Sequence, residues 1–303
     1  INLTFRENAG SKSVFYSRSN DITFRSSTFE NSDKQGIRAI EIYSTENFVL
    51  DHTTIKNFNS NEDGGALKLS GPTKGNQQFL IEHCIIDNCR SSKNGGALSI
   101  HSDNPITFTN TTFINNKAKE FGGAVCISSN SNVAISNSSF ISNKAEKGFG
   151  GAIYISQSSP DGSSSSGEDH NLNCQIVDSS FVSNQGKIGN AIGINGDNNE
   201  NKVHIANNDF INNFNEETVA SDDSPVIAIA NCNIIEETIL SNNHFVNKNQ
   251  NGEEINIKNF GEIPMATPYP SMTPDPSPSQ MVTTEPIITI EPNKETPIIT
   301  RSI

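Results

Sequence analysis

The chain contains no tryptophan, and only 7% of its 303 residues are aromatic and 33% hydrophobic. An apolar content this low borders on that of disordered chains, so any folded core must come from regular placement of few residues. No run of about 18 apolar residues occurs, so no segment reads as a membrane-spanning helix. A basic excess is missing too. The formal net charge is −13, which argues against nucleic acid or an anionic membrane as partner, because phosphate neutralisation needs a basic patch. Cysteine is scarce: Cys84, Cys89, Cys126, Cys174 and Cys232 are too scattered for a disulfide framework. Cys84 and Cys89 are spaced for a bridge within one turn, and the other three read as small apolar residues. No signal peptide is visible ahead of Ile1, so the chain reads as a mature or excised piece.

What the sequence does have is repetition. "NNKAKEFGGAVCIS" (115–128) nearly returns as "SNKAEKGFGGAIYIS" (142–156). After each Gly-Gly-Ala comes an alternating strand whose inward pairs are Leu67/Leu69, Leu98/Ile100, Val125/Ile127 and Ile153/Ile155. Weaker copies give Val14/Tyr16, Ile40/Ile42, Ile192/Ile194, Ile227/Ile229 and Ile255/Ile257. Alternation of period two predicts strands with one buried face. The outward column is mixed: Phe15, Glu41, Lys68, Ser99, Cys126, Tyr154, Gly193, Ala228, Asn256.

A second phrase is anchored on Phe5, Phe29, Ile55, Ile85, Phe113, Phe140, Phe181, Phe210 and Phe245. Asn8, Asn88, Asn116, Asn143, Asn184 or Asn213 follows three residues later, while Ser32, Phe58 and Lys248 break the rule. Five residues before the last eight anchors stand Phe24, Leu50, Leu80, Phe108, Ile135, Ile176, Ile205 and Leu240. Two residues after these come Ser26, His52, Glu82, Asn110, Asn137, Asp178, Asn207 and Asn242. Each repeat therefore holds three short strands with Asn at the corners, where it tolerates left-handed backbone and can bond its copy in the next turn. The expected fold is all-β: a single-stranded parallel β-helix of about nine rungs over residues 1–260, roughly 40 Å long at about 4.8 Å per rung. Residues 156–173 form a Ser/Gly-rich loop. Residues 261–303 carry nine of the thirteen prolines and read as a disordered Pro/Thr/Ser-rich stalk or linker.

Recurring Gly-Gly-Ala-[Ile/Leu/Val] (64–67, 95–98, 122–125, 150–153) interleaved with Phe-x-x-Asn (113–116, 140–143, 181–184, 210–213) resembles the polymorphic outer-membrane protein repeat. That resemblance implies a right-handed parallel β-helix of the autotransporter-passenger or adhesin kind. The translocating barrel of that family has no counterpart here.

Chemistry is sparse. Adjacent rungs place equivalent side chains about 4.8 Å apart, so a glycosidase should show neighbouring carboxylates in one outward column. Beside the Gly-Gly-Ala strand only Glu41 qualifies, and Asp51 reads as alone in its column. The next column (Tyr43, Ser70, His101, Ser128, Ser156, Asn195, Ala230, Lys258) has no acid. Acids gather instead in turns, with Asp222-Asp223 the best catalytic or calcium candidate. "GDNNEN" (196–201) lacks the spacing of a calcium loop, and His83, Cys84 and Cys89 lack the second pair a zinc site requires. Sequons begin at Asn2, Asn110 and Asn137, the last two in the predicted corner ladder, where burial would resist glycosylation.

These readings nominate no catalytic, cofactor or metal residue. They point to a secreted or cell-surface, non-enzymatic β-helix that meets a host-cell receptor or glycan, with Tyr154 as a sugar-stacking residue. An open solenoid edge at the amino end would pair with upstream repeats. The alternative is a polysaccharide lyase or glycoside hydrolase of the pectin-lyase-like class.

Overall fold

The structure, a computed structural model, describes residues 4–6, 12–32, 35–43, 45–71, 78–157, 171–196, 201–214, 225–230, 232, 242–246 and 257–260. The proposed stalk (261–303), most of the 156–173 loop and of "GDNNEN", Asn2 and Asp222-Asp223 lie outside the described residues.

Short strands follow one another around a coil, and every strand pairs in parallel with its copies one turn away. The first sheet runs from Ser13–Ser17 through Arg38–Tyr43, Leu67–Ser70, Leu98–His101, Val125–Ser128, Ile153–Ser156, Ile192–Asn195 and Ile227–Ala230 to Ile257–Phe260. The second has seven strands, from Asp21–Arg25 to Lys202–Ala206, and the third has nine, from Thr4–Arg6 to His244–Val246. A short fourth sheet (Asn59–Ser60, Arg90–Ser91, Lys117–Ala118, Lys144–Ala145) closes four of the turns. This is a parallel β-helix, as the repeat predicts. Among the described residues no helix is long and apolar enough to cross a membrane.

Matching side chains fill the bore. Leu67, Leu98, Val125, Ile153, Ile192 and Ile227 stack in register, as do Leu69, Ile100, Ile127, Ile155, Ile194 and Ile229, all essentially without solvent exposure. Phe113, Phe140, Phe181, Phe210 and Phe245 form a continuous pile with ring centroids 4.9–5.0 Å apart and nearly parallel planes. At about 0.8 kcal/mol per buried CH2, these columns are the main source of stability. The paired glycines make the corner into the first sheet possible. Gly122 has φ 62°, and a Cβ on Gly123 would sit 1.9 Å from the Gly151 carbonyl oxygen.

Two polar ladders line the corners between the second and third sheets and beyond the third. In one, Asn116, Asn143, Asn184 and Asn213 are buried; Asn116 accepts the Cys89 backbone N–H at 3.0 Å, and Asn143, Asn184 and Asn213 each accept both the backbone and side-chain N–H of the Asn before it at 2.9–3.1 Å. In the other, the Oγ or Oδ1 of Thr53, Thr111, Ser138, Ser179, Asn208 and Asn243 accepts the backbone N–H of the previous rung, at 2.9–3.4 Å.

Several expected positions are shifted. In the turn of residues 79–89 the true members are Ile81, His83, Ile86 and Cys89, not Leu80, Glu82, Ile85 and Asn88. Ile85 is 47% exposed while Ile86 is fully buried. Cys89 takes the Asn-ladder place, and Asn88 is a corner residue at φ 51°. In the first strand Phe15 and Ser17, rather than Val14 and Tyr16, align with Ile40 and Ile42. In the last, Ile257 and Asn259 align with Ile227 and Ile229, the places expected for Ile255 and Ile257; Ile255 lies outside the described residues. Asn110 and Asn137 are not in a buried ladder either. They are exposed left-handed corners (φ 48° and 47°), and the buried ladder members are their neighbours Thr111 and Ser138.

Candidate ligand-binding face

Covered and open stretches alternate on the outer face of the first sheet. In the middle turns the loops before Gly122 and Gly150 fold Phe121 and Phe149 over it. Tyr154 stacks on Phe121 at 4.9 Å, lies near Phe149, and is only 2% exposed. Burial pushes its hydroxyl well above the usual tyrosine range. Tyr154 points outward from the sheet, as the alternation predicts, but it belongs to a small second core with Cys126 and Ala230 and cannot stack on a sugar.

Among the described residues no such aromatic lid folds over the first turns. Strand Ser13–Ser17 turns Tyr16 outward, 45% exposed, because Phe15 takes the inward position. Tyr43 stands beyond the end of the next turn's column, and its ring centroid is 5.8 Å from that of Tyr16. Arg18 donates from Nε to Tyr16 Oη at 2.8 Å and lies 6.0 Å from the Tyr43 ring centre. Lys68 Nζ approaches the same ring at 5.5 Å. Such cation–aromatic contacts contribute about 0.5–1 kcal/mol at exposed positions.

The one carboxylate in this column is already committed. Arg38 occupies the place that the second glycine holds in later turns. Buried there, it bonds the carbonyls of Asp63 and Gly64 and pairs with Glu41 Oε1 at 2.8 Å. Tyr43 Oη donates to the same oxygen at 2.8 Å. Glu41 is therefore structural. With it neutralised by Arg38, exposed Arg18 and half-buried Lys68 flank a tyrosine pair, a local positive character in a chain of net charge −13. At the far border stands His101, half-buried. Desolvation is the main cause holding its pKa below the ordinary value; Asp103 opposes this and Lys68 reinforces it.

The other nominated residues fare differently. All five cysteines are free and buried, and Cys84 and Cys89 are not bridged. Cys84 Sγ donates to the Glu82 and Leu50 carbonyls from a ladder position, and burial pushes both thiols up to about 12. His83 faces away from them, toward Asp51. Asp51 is not alone in its column: the true register sets Glu82 directly beside it, with His52 and His83 as the next residues at the corner. The sequence reading missed this group because its register in that turn is off by one. Asp51, His52 and His83 are the one set among the described residues that could hold a metal ion.

No curated protein and no solved structure matches the chain. One family model does, described as a right-handed β-helix region, over residues 1–164. That match covers more than half of the 303 residues and agrees with the coil of parallel sheets. The chain is a member of the right-handed β-helix family.

Proposed function

We propose that this protein is a secreted or cell-surface β-helix that binds an acidic glycan on the open face of its first turns. The observation that carries this reading is the pairing of exposed Tyr16 with half-buried Tyr43, flanked by Arg18 and Lys68. Tyrosine rings supply flat apolar area with a hydroxyl at the rim, which suits the faces and hydroxyls of sugar rings. The two cations suit a uronate carboxylate or a sulfate, and an otherwise acidic surface disfavours anions elsewhere. Binding of the full chain to immobilised uronic-acid, sulfated and neutral polysaccharides tests it. Acidic chains are retained, retention weakens with salt, and Tyr16→Ala or Lys68→Ala lowers affinity about tenfold, or ~1.4 kcal/mol. Equal retention of neutral chains, or no effect of either substitution, refutes it.

A second reading is a carbohydrate-active enzyme. What favours it is the pairing of Asp51 with Glu82 in adjacent turns, with two imidazoles alongside. Adjacent turns set such carboxylates about 5 Å apart, the separation of a retaining glycosidase. Release of reducing or unsaturated ends from pectic and glycosaminoglycan substrates, abolished by Asp51→Asn, supports this reading. Absence of turnover leaves binding alone.

A further inference from the structure

The corner at Asp51, His52 and His83 lies between the second and third sheets, apart from the aromatic face. We infer that it is a binding site for a divalent transition-metal ion of the zinc, nickel or copper class. The three side chains present one ligand atom each, all within 4.8 Å of one another. His83 Nδ1 is 3.5 Å from Asp51 Oδ1, and His52 Nδ1 contacts that same oxygen. Zinc–nitrogen and zinc–oxygen bonds of about 2.0–2.2 Å place tetrahedral ligand atoms about 3.3 Å apart, so only small side-chain rotations separate this arrangement from a coordination shell.

The coil holds the site together. His52 and His83 occupy equivalent left-handed corners (φ 47° and 52°), so the turn-to-turn stacking lays one ring on the other at 4.5 Å with 23° between planes. Both Nδ1 atoms then face one carboxylate oxygen. The other oxygen, Asp51 Oδ2, lies 3.9 Å from Arg25 Nε, which orients the carboxylate and leaves Oδ1 to the imidazoles. Asn110, the next corner residue, reaches His83 Nε2 at 3.3 Å. That contact is made by Asn110 Nδ2; turning the exposed amide over puts its oxygen at the ring, where it accepts the Nε2 proton and frees the Nδ1 lone pair, the outer-shell support that metal-ligating histidines commonly have. Glu82 Oε2, 3.8 Å from His83 Nδ1, is placed to supply a fourth oxygen. Two imidazoles with one or two carboxylates select borderline transition ions, whereas calcium and magnesium call for all-oxygen shells.

Other turns suggest the control. Asn stands at this corner in Asn110, Asn137 and Asn207, so His52→Asn with His83→Asn keeps the backbone geometry while removing both nitrogen ligands. Calorimetric titration of the full chain with Zn2+ at neutral pH gives one ion per chain, and Co2+ gives visible absorption bands of a protein-bound ion. Excess Ca2+ or Mg2+ does not displace either. The double variant, shown folded by an unchanged thermal midpoint without metal, binds Zn2+ at least about a hundredfold more weakly. His244→Asn, at another turn, leaves binding unchanged. Zn2+ binding that survives the double substitution, competition by Ca2+, or no binding to the unaltered chain overturns the assignment.

Discussion

Asn143→Ala and Asn137→Ala remove the same side chain from two corners of one turn, and the structure separates their costs sharply. Asn143 is fully buried. Its Oδ1 accepts the Asn116 backbone and side-chain N–H groups at 3.0 and 3.1 Å, and its Nδ2 donates to the Phe113 carbonyl at 3.1 Å and to Asn184 Oδ1 at 3.0 Å. Asn116 Nδ2 keeps a bond to the Ile86 carbonyl, and Asn184 Oδ1 keeps the Asn143 backbone N–H. The Asn116 N–H and the Phe113 carbonyl lose their ladder partner. The stranded Asn116 N–H costs about 1–3 kcal/mol and the two lost Nδ2 donations about 0.5–1.5 kcal/mol each, about 2–6 kcal/mol together. Asn137 is exposed at φ 47°, so its loss costs about 1 kcal/mol, the preference of Asn over Ala for left-handed backbone. Urea unfolding followed by far-ultraviolet circular dichroism reads both, with the midpoint shift converted at constant slope. If Asn137→Ala costs as much as Asn143→Ala, or if Asn143→Ala costs under about 1 kcal/mol, the ladder is not where the structure places it.

The register in the turn of residues 79–89 has its own test: Ile86→Ala costs about 2–5 kcal/mol and Ile85→Ala stays within about 0.5, and the reverse order restores the phase expected from sequence. At His101 the pKa is lower in the folded than in the unfolded chain, so the unfolded chain binds protons first as pH falls below the ordinary value of 6.5. Its contribution is thus complete above that value and lost on acidification through the folded pKa; unfolding titrations should show a shallower acid decline for His101→Ser than for the unaltered protein, and parallel curves refute it. All five thiols are buried, those of Cys84 and Cys89 with pKa pushed up to about 12, so a thiol-specific reagent labels none natively and five after denaturation. Rapid native labelling, or only three reactive thiols in denaturant, contradicts the structure.

The coil was legible because its signal repeats: Leu98/Ile100, Val125/Ile127 and Ile153/Ile155 sit between glycine pairs that fix the phase. Where local apolarity is not alternating, phase is lost. Phe79, Leu80 and Ile81 are consecutive, as are Ile85 and Ile86, so either register buries an aliphatic face and only pairing with both neighbours decides. That single slip concealed the Asp51–Glu82 pair and the stacked histidines. Tyr16 was misread for a similar reason, since Val14, Phe15 and Tyr16 are all apolar enough to face inward. Tyr154 failed differently. Its direction follows from alternation, but the lid comes from the loop before its own strand (Phe149) and the loop one turn back (Phe121), which no strand pattern encodes.

The asparagine relay and the unbroken phenylalanine pile begin at the same turn, with Phe113 and Asn116, because Phe58 and Cys89 occupy the earlier relay positions and Ile55 and Ile86 the earlier ring positions. The side-chain columns that tie one turn to the next are thus continuous only beyond residue 112. Tyr16 and Tyr43 ride on the turns that lack them. Under a pull applied at the amino end, the first turns are expected to part before the block beyond residue 112.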